Sequence, residues 1–256
     1  LFVACSYFET KEVIPKEKIM LNQADQLFMD DKVSQALKIY LDVERQFPRS
    51  IYFLSARLGE ADCYYRQNSF SLAEETYKDV YQRSLGKNSK LNTTAAFKLS
   101  FIYELLNDDV RAIAFALESN KNSRDLTENI QYAELPARLS MLYSKMGKSE
   151  EAKAYLYQAE KGVSRLKKGE MGGNKEWFAK MYLEMGKVST YQLNANNFIY
   201  IVEGQKNNQK FLINVLDYNI PKYSKVAQDT LIQTYKDLWT LVMTLPEVKS
   251  KDAISM

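Results

Sequence analysis

Ala24-Asp-Gln-Leu27-Phe-Met-Asp-Asp-Lys-Val-Ser-Gln-Ala36-Leu-Lys-Ile-Tyr40-Leu-Asp-Val43-Glu-Arg-Gln-Phe-Pro48 is the stretch on which the fold turns. A small residue opens it and another follows twelve positions on, with large residues at three and sixteen and Val43 at nineteen. The same offsets return in Ala61, Tyr64, Ala73, Tyr77 and Val80, then in Ser100, Tyr103, Ala112, Ala116 and Ser119. A fourth copy reads Ser140, Tyr143, Ala152, Leu156 and Ala159, and a weaker fifth reads Ala179, Tyr182, Tyr191, Ala195 and Phe198. Successive starts lie 37, 39, 40 and 39 residues apart, and self-similarity at such a period signals stacked supersecondary units.

The spacing has a physical reason. Two antiparallel helices cross closely only where small side chains meet, and larger ones then fill the gaps beside the crossing. Turn formers separate the two helices of each copy: Asp30-Asp31-Lys32, Gln67-Asn68-Ser69, Asn107-Asp108-Asp109, Met146-Gly147-Lys148 and Met185-Gly186-Lys187. Ser71 to Glu74 has the pattern of a capping box. The composition agrees: 5 Pro and 9 Gly are too few for a chain of short strands and tight turns, so mostly helix is expected.

The segment from Ala24 to Pro48 resembles a tetratricopeptide repeat (TPR), and Ala61 to Val80 is similar to it. The resemblance implies an all-α fold, a right-handed superhelix of about five TPR-like helical hairpins with C-terminal capping helices. Copies three to five depart from the pattern: Ser replaces Ala, the closing Pro is lost, and the period exceeds the usual 34 residues. The expected organisation is a tether over 1–18, repeats one to four over 19–168, and a degenerate fifth repeat with capping helices over 169–256. Four glycines between Gly162 and Gly173 predict a long loop or hinge. Tyr223, Val226, Ala227, Leu231, Leu238, Trp239 and Val242 predict one apolar helical face that covers the end of the array.

Composition narrows the chemistry. The chain has no histidine, which removes Ser-His-Asp and Cys-His nucleophile activation and His-ligated zinc. Acidic pairs such as Glu74-Glu75 and Glu150-Glu151 read as solvated helix faces. No catalysis, no metal and no cofactor are expected. A net charge of +3, spread along the chain, gives no footprint for nucleic acid.

Stacked hairpins leave their first helices lining a concave face, and the resemblance implies that this face holds segments of partner proteins. Positions one, four and five beyond the first small residue point away from the neighbouring helix. They supply Asp25, Phe28 and Met29, then Asp62, Tyr65 and Arg66, then Phe101, Glu104 and Leu105, then Met141, Ser144 and Lys145. The binding groove is therefore expected to use Asp25, Phe28, Asp62, Tyr65, Arg66, Phe101, Glu104, Met141 and Lys145. Phe28, Tyr65 and Phe101 would be costly to leave wet together, so a filled groove is expected.

The sequence begins Leu1-Phe2-Val3-Ala4-Cys5, and Ala4-Cys5 after an apolar stretch resembles the bacterial lipobox. The resemblance implies a signal peptide cut before a lipidated Cys5, and Ser6 in place of Asp points to the outer membrane. Anchor and repeats together resemble the TPR lipoproteins of bacterial envelopes, such as those of outer-membrane protein assembly. The expected protein is a periplasmic scaffold, anchored to the outer membrane, that docks onto a cell-envelope complex. The alternatives are a module for glycan or peptidoglycan strands or for peptides, and a cytosolic adaptor if Cys5 carries no lipid.

Overall fold

In a computed structural model, residues 14–169, 174–188 and 198–244 are described, with side chains from residue 204 in the last segment. Among them are eleven α-helices and no strand. The chain forms two compact units, one up to Ile102 and one from Tyr103. Cys5, with the lipobox and most of the tether, lies outside the described residues, as do Tyr191, Ala195 and the glycines at 172 and 173.

In the first unit, α1 (Lys16–Met29) and α2 (Val33–Gln46) form one hairpin, and α3 (Phe53–Arg66) and α4 (Phe70–Ser84) form the next. The helix α5 (Ser89–Leu105) follows. The helix α1 begins inside the expected tether, at Lys16, because Pro15 supplies a fixed φ just ahead of the first turn and Glu17 suits the positive end of the helix. Ala24, Ala36, Tyr40, Val43, Ala61, Ala73, Tyr77 and Val80 are all buried, as the repeat demands. Ser100 is buried too, and its hydroxyl donates to the Phe97 carbonyl at 2.7 Å, which lets Ser stand where Ala is usual.

The second unit contains α6 (Asp109–Lys121), α7 (Leu135–Lys145), α8 (Ser149–Lys168), α9 (Lys175–Gly186), α10 (Phe198–Asp217) and α11 (Pro221–Thr244), with a π-helical turn at Ile130–Glu134. Ala112, Ala116, Ser119, Ser140, Ala152, Leu156 and Ala159 are buried. The Ser140 hydroxyl donates across the hairpin to the Ala152 carbonyl at 2.7 Å, so here too Ser is a satisfied small residue. Tyr103 stacks on Phe115 and Tyr143 on Tyr155, with centroids 5.3 and 5.6 Å apart, at the same two positions of successive repeats.

The turns inside the first four hairpins share one geometry. Asp31, Asn68, Asn107 and Gly147 have φ of 60°, 59°, 57° and 71°. The following amide donates back to Leu27, Tyr64, Tyr103 and Tyr143 at 2.9, 2.9, 2.8 and 2.9 Å. This six-to-one bond past a left-handed residue is the Schellman closure, and Asp and Asn tolerate that conformation better than other non-glycine residues.

Several expectations change. Gly162 is not in a loop: α8 runs on to Lys168, and Gly162 is buried within it because the backbone of Tyr132 passes against that face. Gly186 is not a turn residue; it ends α9, and Leu212 fills the space a Cβ would need. The capping box at Ser71 is absent, since α4 starts at Phe70 behind Ser69 and Glu74 instead pairs with Lys78 at 2.6 Å. Side-chain caps occur at Asp108, which accepts from the Arg111 amide at 2.8 Å, and at Asn174, which accepts from that of Trp177 at 3.0 Å. Finally, α11 is apolar on more than one face. Tyr223, Ala227 and Leu231 pack on the core at four-residue spacing, whereas Val226, Trp239 and Val242 point outward.

Candidate partner-binding surface

The expected groove residues fall into the two units. In the first, Asp25 accepts a hydrogen bond from the Tyr40 hydroxyl at 2.7 Å, and Asp62 accepts one from Tyr77 and pairs with Lys98 at 2.8 Å. Both bonds tie a first helix to its own second helix. Burial and the adjoining carboxylate hold both tyrosine hydroxyls far above the usual phenol range, so they stay donors. The Arg66 guanidinium lies 5.3 Å from the Phe28 ring and pairs with Asp31 at 3.1 Å. Tyr65 tilts against Phe70, and Phe101 meets Phe97 edge to face with centroids 5.1 Å apart. Phe28, Tyr65 and Phe101 are thus half-buried on partners from their own chain rather than fully wet.

In the second unit, Glu104 is gripped by Arg138 and Lys145, and Lys145 also reaches Asp109 at 3.7 Å. Burial alone would raise the Glu104 carboxyl, but the Arg138 charge and the bonds from Lys145 and Arg138 hold it below the ordinary value. Met141 packs on the core of this unit and Ser144 is half-buried.

One row stays open. The residue five beyond the first small position is exposed in each of the first four copies: Met29 by 78% and Leu105 by 47%, with the side chains of Arg66 and Lys145 open by 49% and 41%. Leu106, Val110 and Met146, also exposed, were not foreseen. Their signal in the sequence was an apolar residue immediately beside a hairpin turn, where none is needed for helix crossing.

A half-buried charge cluster sits elsewhere in the first unit. Arg57 Nη1 bonds Glu44 and Glu60, each at 3.1 Å, its Nε bonds Asp79 at 2.5 Å, and Arg83 reaches Asp79 at 3.4 Å. Glu44 Oε1 is buried without a hydrogen bond. Burial, then the neighbouring Glu60, pushes the Glu44 carboxyl from 4.5 up to about 7 against the pull of Arg57. A folded value above the unfolded one gives stability that is present in full below about pH 4.5 and lost as pH rises through about 7. Urea midpoints should therefore fall between pH 4.5 and 8, by on the order of 2 kcal/mol, and Glu44→Gln should flatten that slope. Glu104 acts with the opposite sign and outside this window, since its contribution is lost only in acid.

Cys63 is a free, buried thiol pushed up to about 12 by burial and then by Asp62 and Glu60, so it is a packing residue and not a nucleophile. Among the described residues no cluster of three His, Cys, Asp or Glu side chains is arranged to hold a metal ion, and no helix is long and apolar enough to cross a membrane.

No family model matches the chain, and no curated protein matches it. Solved structures do. The TPR-like repeats assigned to a kinesin light chain from Podosopora anserina are similar with a TM-score of 0.53 and 14% identity, over 79% of this chain and 94% of that one. BtubC (BKLC) from P. vanneervenii aligns over 92% of this chain and 96% of its own, with 14% identity and a TM-score of 0.47. A tetratricopeptide repeat protein from Parabacteroides merdae aligns over 86% and 98%, with 14% identity and a TM-score of 0.43. Four pairs of buried repeat positions and the likeness to the Podosopora repeats lead to one conclusion: this chain has the all-α tetratricopeptide-repeat fold.

Proposed function

We propose that the chain is a protein-binding scaffold whose partners lie across the first helices of its hairpins. The observation that carries this is one open position on the first helices of each unit, Met29 and Arg66 in the first and Leu105 and Lys145 in the second, set against small positions that are buried in the same hairpins. In each unit an apolar side chain beside a cation suits an amphipathic or acidic peptide segment, with an apolar anchor for affinity and charge for orientation. The half-buried Phe28 and Tyr65 stand one position before Met29 and Arg66 and would form the floor in the first unit.

The Ala4-Cys5 sequence supports a lipid tether, and we extend the proposal to a scaffold held at the outer membrane by acylated Cys5 and serving an envelope complex. Confinement to a thin layer would raise the effective concentration for a resident partner. Two measurements test the two parts separately. Met29→Ser with Arg66→Ser should weaken capture of an envelope protein at least about tenfold while leaving the circular dichroism unchanged, because exposed side chains cost little to replace. Undiminished capture, or co-sedimentation with peptidoglycan alone, would refute protein binding at this position. The mass of the mature N-terminus should show the acyl chains on Cys5, and an unmodified thiol would remove the tether.

A further inference from the structure

We propose that the outward face of α11 pairs with the same face of a second copy of this chain, running antiparallel, in a symmetric dimer. Ile232, Tyr235, Trp239 and Met243 are exposed by 53%, 52%, 66% and 67%, and Val242 by 37%. Spacings of three, four and three residues put 232, 235, 239 and 242 on one stripe, with Met243 at its edge. The stripe is confined to the last three turns, since Lys225 and Gln228, further back on the same face, are polar and exposed. Tyr223, Ala227 and Leu231 anchor the other side of the helix, so the outward face cannot turn in without unseating them.

Three features favour a second copy as the occupant. First, three-four-three reads the same in either direction, so a reversed copy presents the same comb: Ile232 faces the partner's Val242 and Tyr235 faces the partner's Trp239. A two-fold axis forms each pair twice, as an isologous interface requires, and the a/d-type alternation matches knobs-into-holes packing. Secondly, the area suffices. These five side chains offer roughly 600 Å² per copy, so two copies reach about 1,200 Å², the lower end for a specific interface. Thirdly, the polar neighbours Gln233, Lys236, Asp237 and Thr240 carry no net charge, and Gln233 is already bonded to Asp237 at 2.7 Å. A helix that lies on an anionic membrane carries an excess of Lys and Arg on that polar face, whereas a neutral rim suits a self-association interface.

Sedimentation velocity of the full chain from about 1 to 100 μM should show a species of twice 29.7 kDa. Trp239→Glu with Tyr235→Glu should shift it to monomer with unchanged helical signal, and Trp239→Ser serves if the double variant fails to fold. Ile232→Cys with Val242→Cys should yield an interchain disulfide. A monomer at every concentration would overturn the proposal, whether the face is covered by residues 245–256 or stays bare. So would a dimer undiminished in both the Glu and the Ser variants, or a monomer that floats with anionic vesicles through Trp239.

Discussion

Replacing Gly162 by Ala should destabilise the second unit by about 3 kcal/mol or more, although Ala is the better helix former by about 1 kcal/mol. The steric effect wins because a Cβ at this position would lie 1.7 Å from the Tyr132 carbonyl oxygen, and the obstacle is backbone. To admit it, α8 must retreat from the π-helical turn and loosen Val163, Leu166 and the Arg165 guanidinium, which sits 4.1 Å above the Tyr132 ring. Gly169→Ala is the control, since its Cβ would meet nothing closer than 3.7 Å. Thermal melts should separate the two variants by more than 5 °C. Equal melting would mean that the helices are not in contact there.

Arg57→Met should cost the first unit about 3–5 kcal/mol at neutral pH. The substitution keeps the apolar stem but strips the one cation that Glu44, Glu60 and Asp79 share, leaving carboxylates in a partly closed site with Arg83 touching only Asp79. The loss should shrink as pH falls below about 7, where Glu44, already raised and now without the pull of Arg57, takes up a proton. Urea titrations at pH 7.5 and 4.5 measure both numbers. A penalty that does not change with pH would show that Arg57 contributes by packing alone.

Much of this fold is legible in the letters, and the reason is local. A crossing of two helices needs small residues at fixed offsets, so Ala24 with Ala36 and Ala61 with Ala73 declare a hairpin without reference to the rest of the chain. What escaped notice depends on distant neighbours. Gly162 looks like a loop residue because its function, to let Tyr132 pass, is invisible thirty positions away. The face of α11 misled for the same reason: periodicity shows that residues share a helix but not which of two apolar faces finds the core.

Less of the binding surface is legible. Position alone puts Asp25 and Asp62 on the groove side, and the same spacing gives each a second duty. Each stands fifteen residues before a buried tyrosine, and a buried hydroxyl must find an acceptor. Where that tyrosine is replaced by Leu156, position one becomes Met141 and both join the apolar core. Reading the two positions as a pair would have placed these aspartates as struts between helices.

The closure that ends each first helix also fixes when the next begins. In all four copies the second helix starts nine residues after the first small position, at Val33, Phe70, Asp109 and Ser149, although the copies differ in total length. Main-chain bonds set that interval, so each hairpin is keyed like a gear tooth. The surplus over a 34-residue unit is taken up on the return side, in the six residues between α2 and α3, in the longer α5, in the winding link from Lys121 to Leu135 and in the 20 residues of α8. Length can drift there without rotating one helix of a hairpin against the other, which is how repeats of unequal size keep the same hairpin.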